Sequence, residues 1–170
     1  MARECSFRAN KQLLCIVGAL PPPGVPVPHE LEALLNAGIS RQGELTMLAA
    51  LEQRYFGIES VSLGPTGIEC FVNHVHIDDY VPADDALCLF STGWQMGLDL
   101  KERLPRDKGY VIILSLSPAD YDDGLWVCSL RFHTLRAAEA WLHEDLESYV
   151  HEGIIRCVVG RTINMTSDET

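Results

Sequence analysis

The chain has 170 residues, 47% of them hydrophobic, and a formal net charge of −11 at pH 7. That length fits one domain with a sizeable core, and no apolar run approaches the about 20 residues that a membrane helix needs. Residues 1–60 hold five Lys and Arg against six Asp and Glu, whereas residues 61–170 hold eight against 18; such a surface repels phosphate backbones and argues against nucleic acid as a partner.

Along the chain, "KQLLCIVGALPPPG" carries an apolar run over Leu13–Leu20. It is short, ends in a proline run and lacks a small-x-small cleavage site, so it reads as a first strand rather than a secretory leader. Residues 21–28, "PPPGVPVP", form an extended connector, because proline forbids helix and regular ladder pairing. "HELEALLNAG" reads as a helix with Leu31, Leu34 and Leu35 on one face and Gly38 as its stop. A second helix is predicted from Ser40, as N-cap, to Gly57, with Met47, Leu48, Leu51 and Tyr55 as its buried stripe.

From Ile58 the pattern changes to strands. "IESVSL", a turn "GPTG" and "IECFVNHVHIDDYV" read as a hairpin. "DALCLF" is open between strand and helix, and "TGWQMGLDLKERLP" reads as a helix stopped by Pro105, with Trp94, Leu98, Leu100 and Leu104 turned inward. "GYVIILSLS" and "LWVCSLRFHTL" read as a second hairpin joined by the acidic turn "PADYDDG". "RAAEAWLHEDLESYVHEG" has the strongest helical spacing, through Ala138, Leu142, Leu146, Tyr149 and Val150, and "IIRCVVGRTI" closes the fold as a last strand. Residues 164–170 read as a frayed tail. Hairpins imply antiparallel neighbours, so the expected fold is α+β: one domain over 1–170, a mostly antiparallel sheet built from hairpins, and helices packed on one face.

The six cysteines are scattered without a C-x-x-C pair and several sit in apolar runs, which points to free thiols in a reducing cytoplasm. Chemistry concentrates in "FVNHVHIDDYVPADDA", residues 71–86. On a strand, Val72, His74, His76 and Asp78 share one face, the two imidazoles about 7 Å apart. Two neutral imidazoles and a carboxylate suit zinc or another divalent transition metal, which makes His74, His76 and Asp78 a candidate hydrolytic metal site. "HVHIDD" is similar to the H-x-H-x-D-H motif of metallo-β-lactamase-fold hydrolases, but Asp79 stands where that motif ends in His.

Two further groups are weaker. Glu139, His143, Glu147 and His151 line one side of the predicted last helix, where "HEDLE" departs from H-E-x-x-H at Glu147; solvent-exposed Glu–His pairs account for them. His133-Thr134 is similar to the H-x-[ST] element of two-histidine phosphoesterases, without the spacer or a second copy. No nucleophile elbow or phosphate loop is present.

The other concentration is acidic and aromatic. Asp78, Asp79, Tyr80, Asp84 and Asp85 lie on one connection, and Asp120, Tyr121, Asp122 and Asp123 on another. Carboxylates steer a basic protein and tyrosines supply contact area, so these nine residues are the expected partner-binding surface. Neither run follows the ligand order of a calcium loop.

"WQMGLDLKERL" followed by "KGYVIILSLSPADYDDGLWVCSLRF" resembles the immunity proteins of bacterial contact-dependent and polymorphic toxin systems. The likeness is a Trp-started helix, an apolar strand, an Asp-rich turn and a Trp-bearing strand in the C-terminal half. It implies a small acidic cytoplasmic protein, without catalysis or cofactor, that binds and neutralises a cognate toxin domain. It carries over no interface residues.

Overall fold

The computed structural model describes residues 5–57, 63–119 and 124–160, with the backbone alone for Phe56 and Gly57. In chain order these form β1 (Cys5–Ala9), α1 (Lys11–Val17), α2 (His29–Asn36), β2 (Ile39–Gln42), β3 (Leu45–Leu48) and a 3-10 stretch over Ala49–Gly57. They continue with α3 (Gly64–Val72), β4 (Val75–His76), a 3-10 turn at Ile77–Asp79, α4 (Ala86–Arg103), β5 (Tyr110–Pro118), β6 (Trp126–Thr134), a 3-10 turn at Leu146–Ser148 and β7 (Gly153–Val159). The main sheet has the order β1-β7-β5-β6-β4, every neighbouring pair antiparallel, and β2 and β3 form a separate hairpin. The α+β architecture expected from the sequence is the one observed.

The β5–β6 hairpin forms as its alternating sequence dictates. Ile112, Leu114, Leu130 and Phe132 turn to one face with Ile155 and Cys157 of β7, and join the main core. On that face lie α1, α3 and α4. The eighteen-residue α4 absorbs both "DALCLF" and the helix predicted after it, because Asp85 caps its start by accepting a hydrogen bond from Cys88 N at 2.9 Å. Gly93 lets α4 approach the sheet: a Cβ there would stand 2.6 Å from Leu114 Cδ1. The opposite face buries Val111, Ile113 and Ile154 against Leu146, with Leu135, Leu142 and Tyr149 packed around them.

Four local expectations fail, each for a tertiary or capping reason. The apolar run from Leu13 begins a helix, α1, not a strand: Asn10 caps it by accepting from Leu13 N at 3.0 Å. The first strand is Cys5–Ala9, just before it. The helix predicted from Ser40 to Gly57 is instead the β2–β3 hairpin followed by 3-10 turns, with Gly43 at φ 58° in the connection. All four residues of β3 are buried, so its apolar spacing carries no helical information. "GPTG" is the first turn of α3 rather than a hairpin turn, Pro65 occupying an early helical position where its missing N–H costs nothing. Most of the strand predicted at 58–63, and the tail 164–170, lie outside the described residues.

The fourth failure is the largest. Residues 135–152 contain no α-helix, only the 3-10 turn at Leu146–Ser148. Their backbone groups find partners elsewhere. Asn10 Nδ2 donates to the carbonyls of Leu146, Tyr149 and Glu152, at 3.3, 3.2 and 2.8 Å. His143 N donates to the Tyr149 hydroxyl at 2.9 Å. Leu142, Leu146 and Tyr149 thus pack onto the sheet as irregular chain, and the stripe Glu139, His143, Glu147 and His151 does not exist as a helix face.

Candidate functional site

The segment 71–86 divides into three structural pieces. Phe71 and Val72 end α3, Asn73 caps it, Val75 and His76 pair with β6, and Ile77–Asp79 turn the chain toward α4. The predicted single strand is therefore only two residues long, and Val72 belongs to a helix rather than to the face of His74 and His76.

The two imidazoles nevertheless meet, with ring centroids 4.2 Å apart and planes inclined by 45°. Arg131 Nη2 lies 3.0 Å from His74 Nε2. A guanidinium only donates, so His74 Nε2 is the accepting nitrogen and its ring proton sits on Nδ1. The remaining lone pair is thus committed to a cation. Asp78 lies at ion-pair distance from His76 alone, its Oδ1 3.7 Å from His76 Nδ1, and the same oxygen accepts from Cys128 N at 2.9 Å. Among the described residues no group of three or more His, Cys, Asp or Glu side chains is placed to hold a metal ion.

Burial, then the charge of Arg131, then His76 and Arg54, push the His74 imidazole down to about 3. Burial also lowers His133. An unfolded histidine takes up its proton near pH 6.5. The folded state binds no proton on His74 until about pH 3, so stability falls as pH drops through that window and the neutral site costs nothing above it. The His74 ring proton shift is expected to stay flat in an NMR titration from about pH 8 to about pH 5. His74→Phe is expected to remove part of the acid-side loss in a pH series of urea melts; a normal titration near neutrality would contradict the burial argument.

The acidic connection has a different character. Asp79, Tyr80, Asp84 and Asp85 are exposed, and neither Asp79 nor Asp84 has an ion-pair partner among the described residues. Three hydrogen bonds fix the loop that carries them: Asp78 to Cys128 N at 2.9 Å, Trp126 N to Ala83 O at 2.7 Å, and Asp85 to Cys88 N at 2.9 Å. Trp126 starts β6, so the loop lies against the tip of the β5–β6 hairpin, where Ala119 N donates to Leu125 O. The predicted partner-binding residues Asp120, Tyr121, Asp122 and Asp123 lie outside the described residues. Tyr80, Leu87 and Leu125 add exposed apolar area at this end of the molecule.

Other residues singled out by sequence have structural work. Glu139 Oε2 accepts from Thr66 N at 3.0 Å, and Glu147 accepts from Lys11 N at 3.2 Å. His143 Nδ1 accepts from Asp145 N, and His151 is exposed. His133 is buried in β6 with its Nδ1 on the Thr134 carbonyl, 2.8 Å away. All six cysteines are free; burial pushes the thiols of Cys70 and Cys157 up to about 12 and that of Cys128 up as well, which leaves them unreactive.

Sequence reasoning missed the groups that organise the centre. Glu69 is fully buried and pairs with Arg136 at 2.7 Å. Asn73, four residues later at the C-cap of α3, accepts from Leu48 N at 2.9 Å and donates to Thr46 O and Phe132 O. Together they complete the free edge of β3 and tie it to the end of β6. Spacing of four on a helix was the available signal, hidden because α3 was read as a strand. Arg131 and Trp141 were missed too; the guanidinium lies 5.3 Å from the indole centroid.

The fold and these sites define a small α+β protein with a five-stranded antiparallel sheet, an acidic loop at one end and a buried carboxylate at the junction of its two sheets. The chain belongs to the family described as Uncharacterized protein PM0498, whose sequence profile matches residues 8–161. No curated protein and no solved structure gives a match. No helix among the described residues is long and apolar enough to cross a membrane.

Proposed function

We propose that this protein is a non-catalytic binding module that docks a basic protein through its acidic end, and that the partner is a toxin domain which it neutralises in the cytoplasm. The observation that carries the reading is the loop 79–85. Asp79 and Asp84 are exposed without a cation among the described residues, beside Tyr80, Leu87 and Leu125, on a backbone fixed by three hydrogen bonds. Unpaired carboxylates steer encounter and the aromatic and leucine side chains supply desolvated contact. The fixed backbone lowers the ordering cost of binding. The toxin as partner rests on the resemblance of the C-terminal half to immunity proteins, and six free cysteines agree with a reducing compartment.

The test is first whether a neighbouring reading frame encodes a toxin domain, and then co-expression and binding with that domain. The expected result is a complex that protects cells and weakens with salt. Asp79→Lys combined with Asp84→Lys is expected to slow association by about tenfold or more at low ionic strength, with no loss of thermal stability. A complex indifferent to both salt and charge reversal, or no complex with that domain, would remove the reading.

A further inference from the structure

We propose that the face of the sheet opposite the helices binds a small planar carboxylate that also carries a hydrogen-bond donor, between His133, Arg156 and Trp141. A pocket of about 180 Å³ opens there between the strands and residues 135–142. That is about six water molecules' share of liquid volume, the size of one substituted ring. Its floor is set by strand register: His133, Val111 and Val158 form one row across three strands, and Ile113 and Arg156 stand in the next.

The apolar floor supplies the contact area for a flat body, and Trp141 lends it an aromatic wall. The polar groups then specify the ligand. His133 is only 3% exposed, and its Nδ1 lies 2.8 Å from the Thr134 carbonyl. A carbonyl only accepts, so Nδ1 holds the proton, and burial keeps the ring neutral. Nε2 is therefore an acceptor. It has no partner among the described residues, on a side chain that forms the pocket wall. Opening into the pocket, this acceptor is free to take a donor from the ligand.

Arg156 supplies the opposite requirement. Its guanidinium has no ion-pair or hydrogen-bond partner among the described residues, and it borders the same pocket. Glu139 also borders the pocket, but its carboxylate accepts from Thr66 N and lies near Arg136. Its charge is answered within the protein and that of Arg156 is not, so the pocket favours an anion. The site is separate from the acidic loop: His133 follows Trp126 by seven residues along β6, about 23 Å of strand.

Para-hydroxybenzoate, benzoate and phenol titrated into the full chain test the proposal by NMR. Para-hydroxybenzoate is expected to give saturable shifts confined to Val111, His133, Trp141 and Val158. Benzoate lacks the donor and phenol the carboxylate, so each is expected to bind about tenfold or more weakly. Arg156→Gln is expected to weaken both carboxylates by a similar factor and leave phenol unchanged. His133→Phe is expected to abolish the preference for para-hydroxybenzoate over benzoate; if that variant does not fold, Arg156→Gln decides alone. Absence of saturable shifts at millimolar concentrations, shifts centred elsewhere, or carboxylate affinity unchanged in Arg156→Gln would overturn it.

Discussion

Glu69→Ala is expected to destabilise this protein by about 3–5 kcal/mol, a large share of a typical domain's stability. The carboxylate is completely buried. Oε1 accepts from Thr46 N at 2.7 Å, Thr134 Oγ1 at 2.9 Å and Arg136 Nη2 at 3.1 Å, while Oε2 accepts from Thr134 N and Arg136 Nη1, both at 2.7 Å. Alanine would orphan two buried backbone amides and leave a guanidinium, its side chain only 15% exposed, without its anion. Glu69→Gln keeps the volume but turns an amide donor toward donors, so it is expected to recover little. Urea melts report the loss. A double-mutant cycle with Arg136→Met is expected to show strong coupling, the second substitution costing much less once the first is made. A loss under about 1 kcal/mol for Glu69→Ala would mean that water replaces the network, as it does for exposed pairs.

Asn10→Ala is expected to cost about 2–4 kcal/mol, combining a lost helix cap with unsatisfied buried backbone groups. Asn10 is 1% exposed and uses both ends of its amide. Oδ1 accepts from Leu13 N and Ile154 N, at 3.0 and 2.9 Å. Nδ2 shares its hydrogens among the carbonyls of Leu146, Tyr149 and Glu152. One side chain thus starts α1, holds β7 and fixes the irregular segment above the sheet. Asn10→Asp preserves the cap but sets a carboxylate against three carbonyls, so it is expected to fare no better than alanine at neutral pH. Hydrogen exchange distinguishes the roles: amides of Leu146 to Ile154 are expected to lose protection in both variants. Loss confined to α1 would reduce Asn10 to a simple cap.

The acidic surface was legible in the sequence in part. Asp79, Tyr80, Asp84 and Asp85 are exposed as expected, because charged loop residues have no reason to leave water. Asp78 is only partly exposed, and the fold alone shows that its carboxylate accepts from Cys128 N. The pairing of His74 with His76 was anticipated, but Arg131, which takes the accepting nitrogen, sits 57 residues further along the chain.

By itself, the sequence determined the fold class, the β5–β6 hairpin, α2, the C-terminal part of α4 and the last strand. In these elements the period of apolar residues and the caps agree, so local preference and burial select the same conformation. Tertiary structure decided the rest. The spacing in 135–152 satisfies a helix, yet Asn10 draws away three of its carbonyls and Leu146 is buried on the sheet. β3 is buried on all sides, so its pattern carried no period at all. Glu69 could be recognised as a keystone only once β3, β6 and α3 stood together. A buried carboxylate is tolerable where its donors converge, and those donors come from positions 46, 134 and 136.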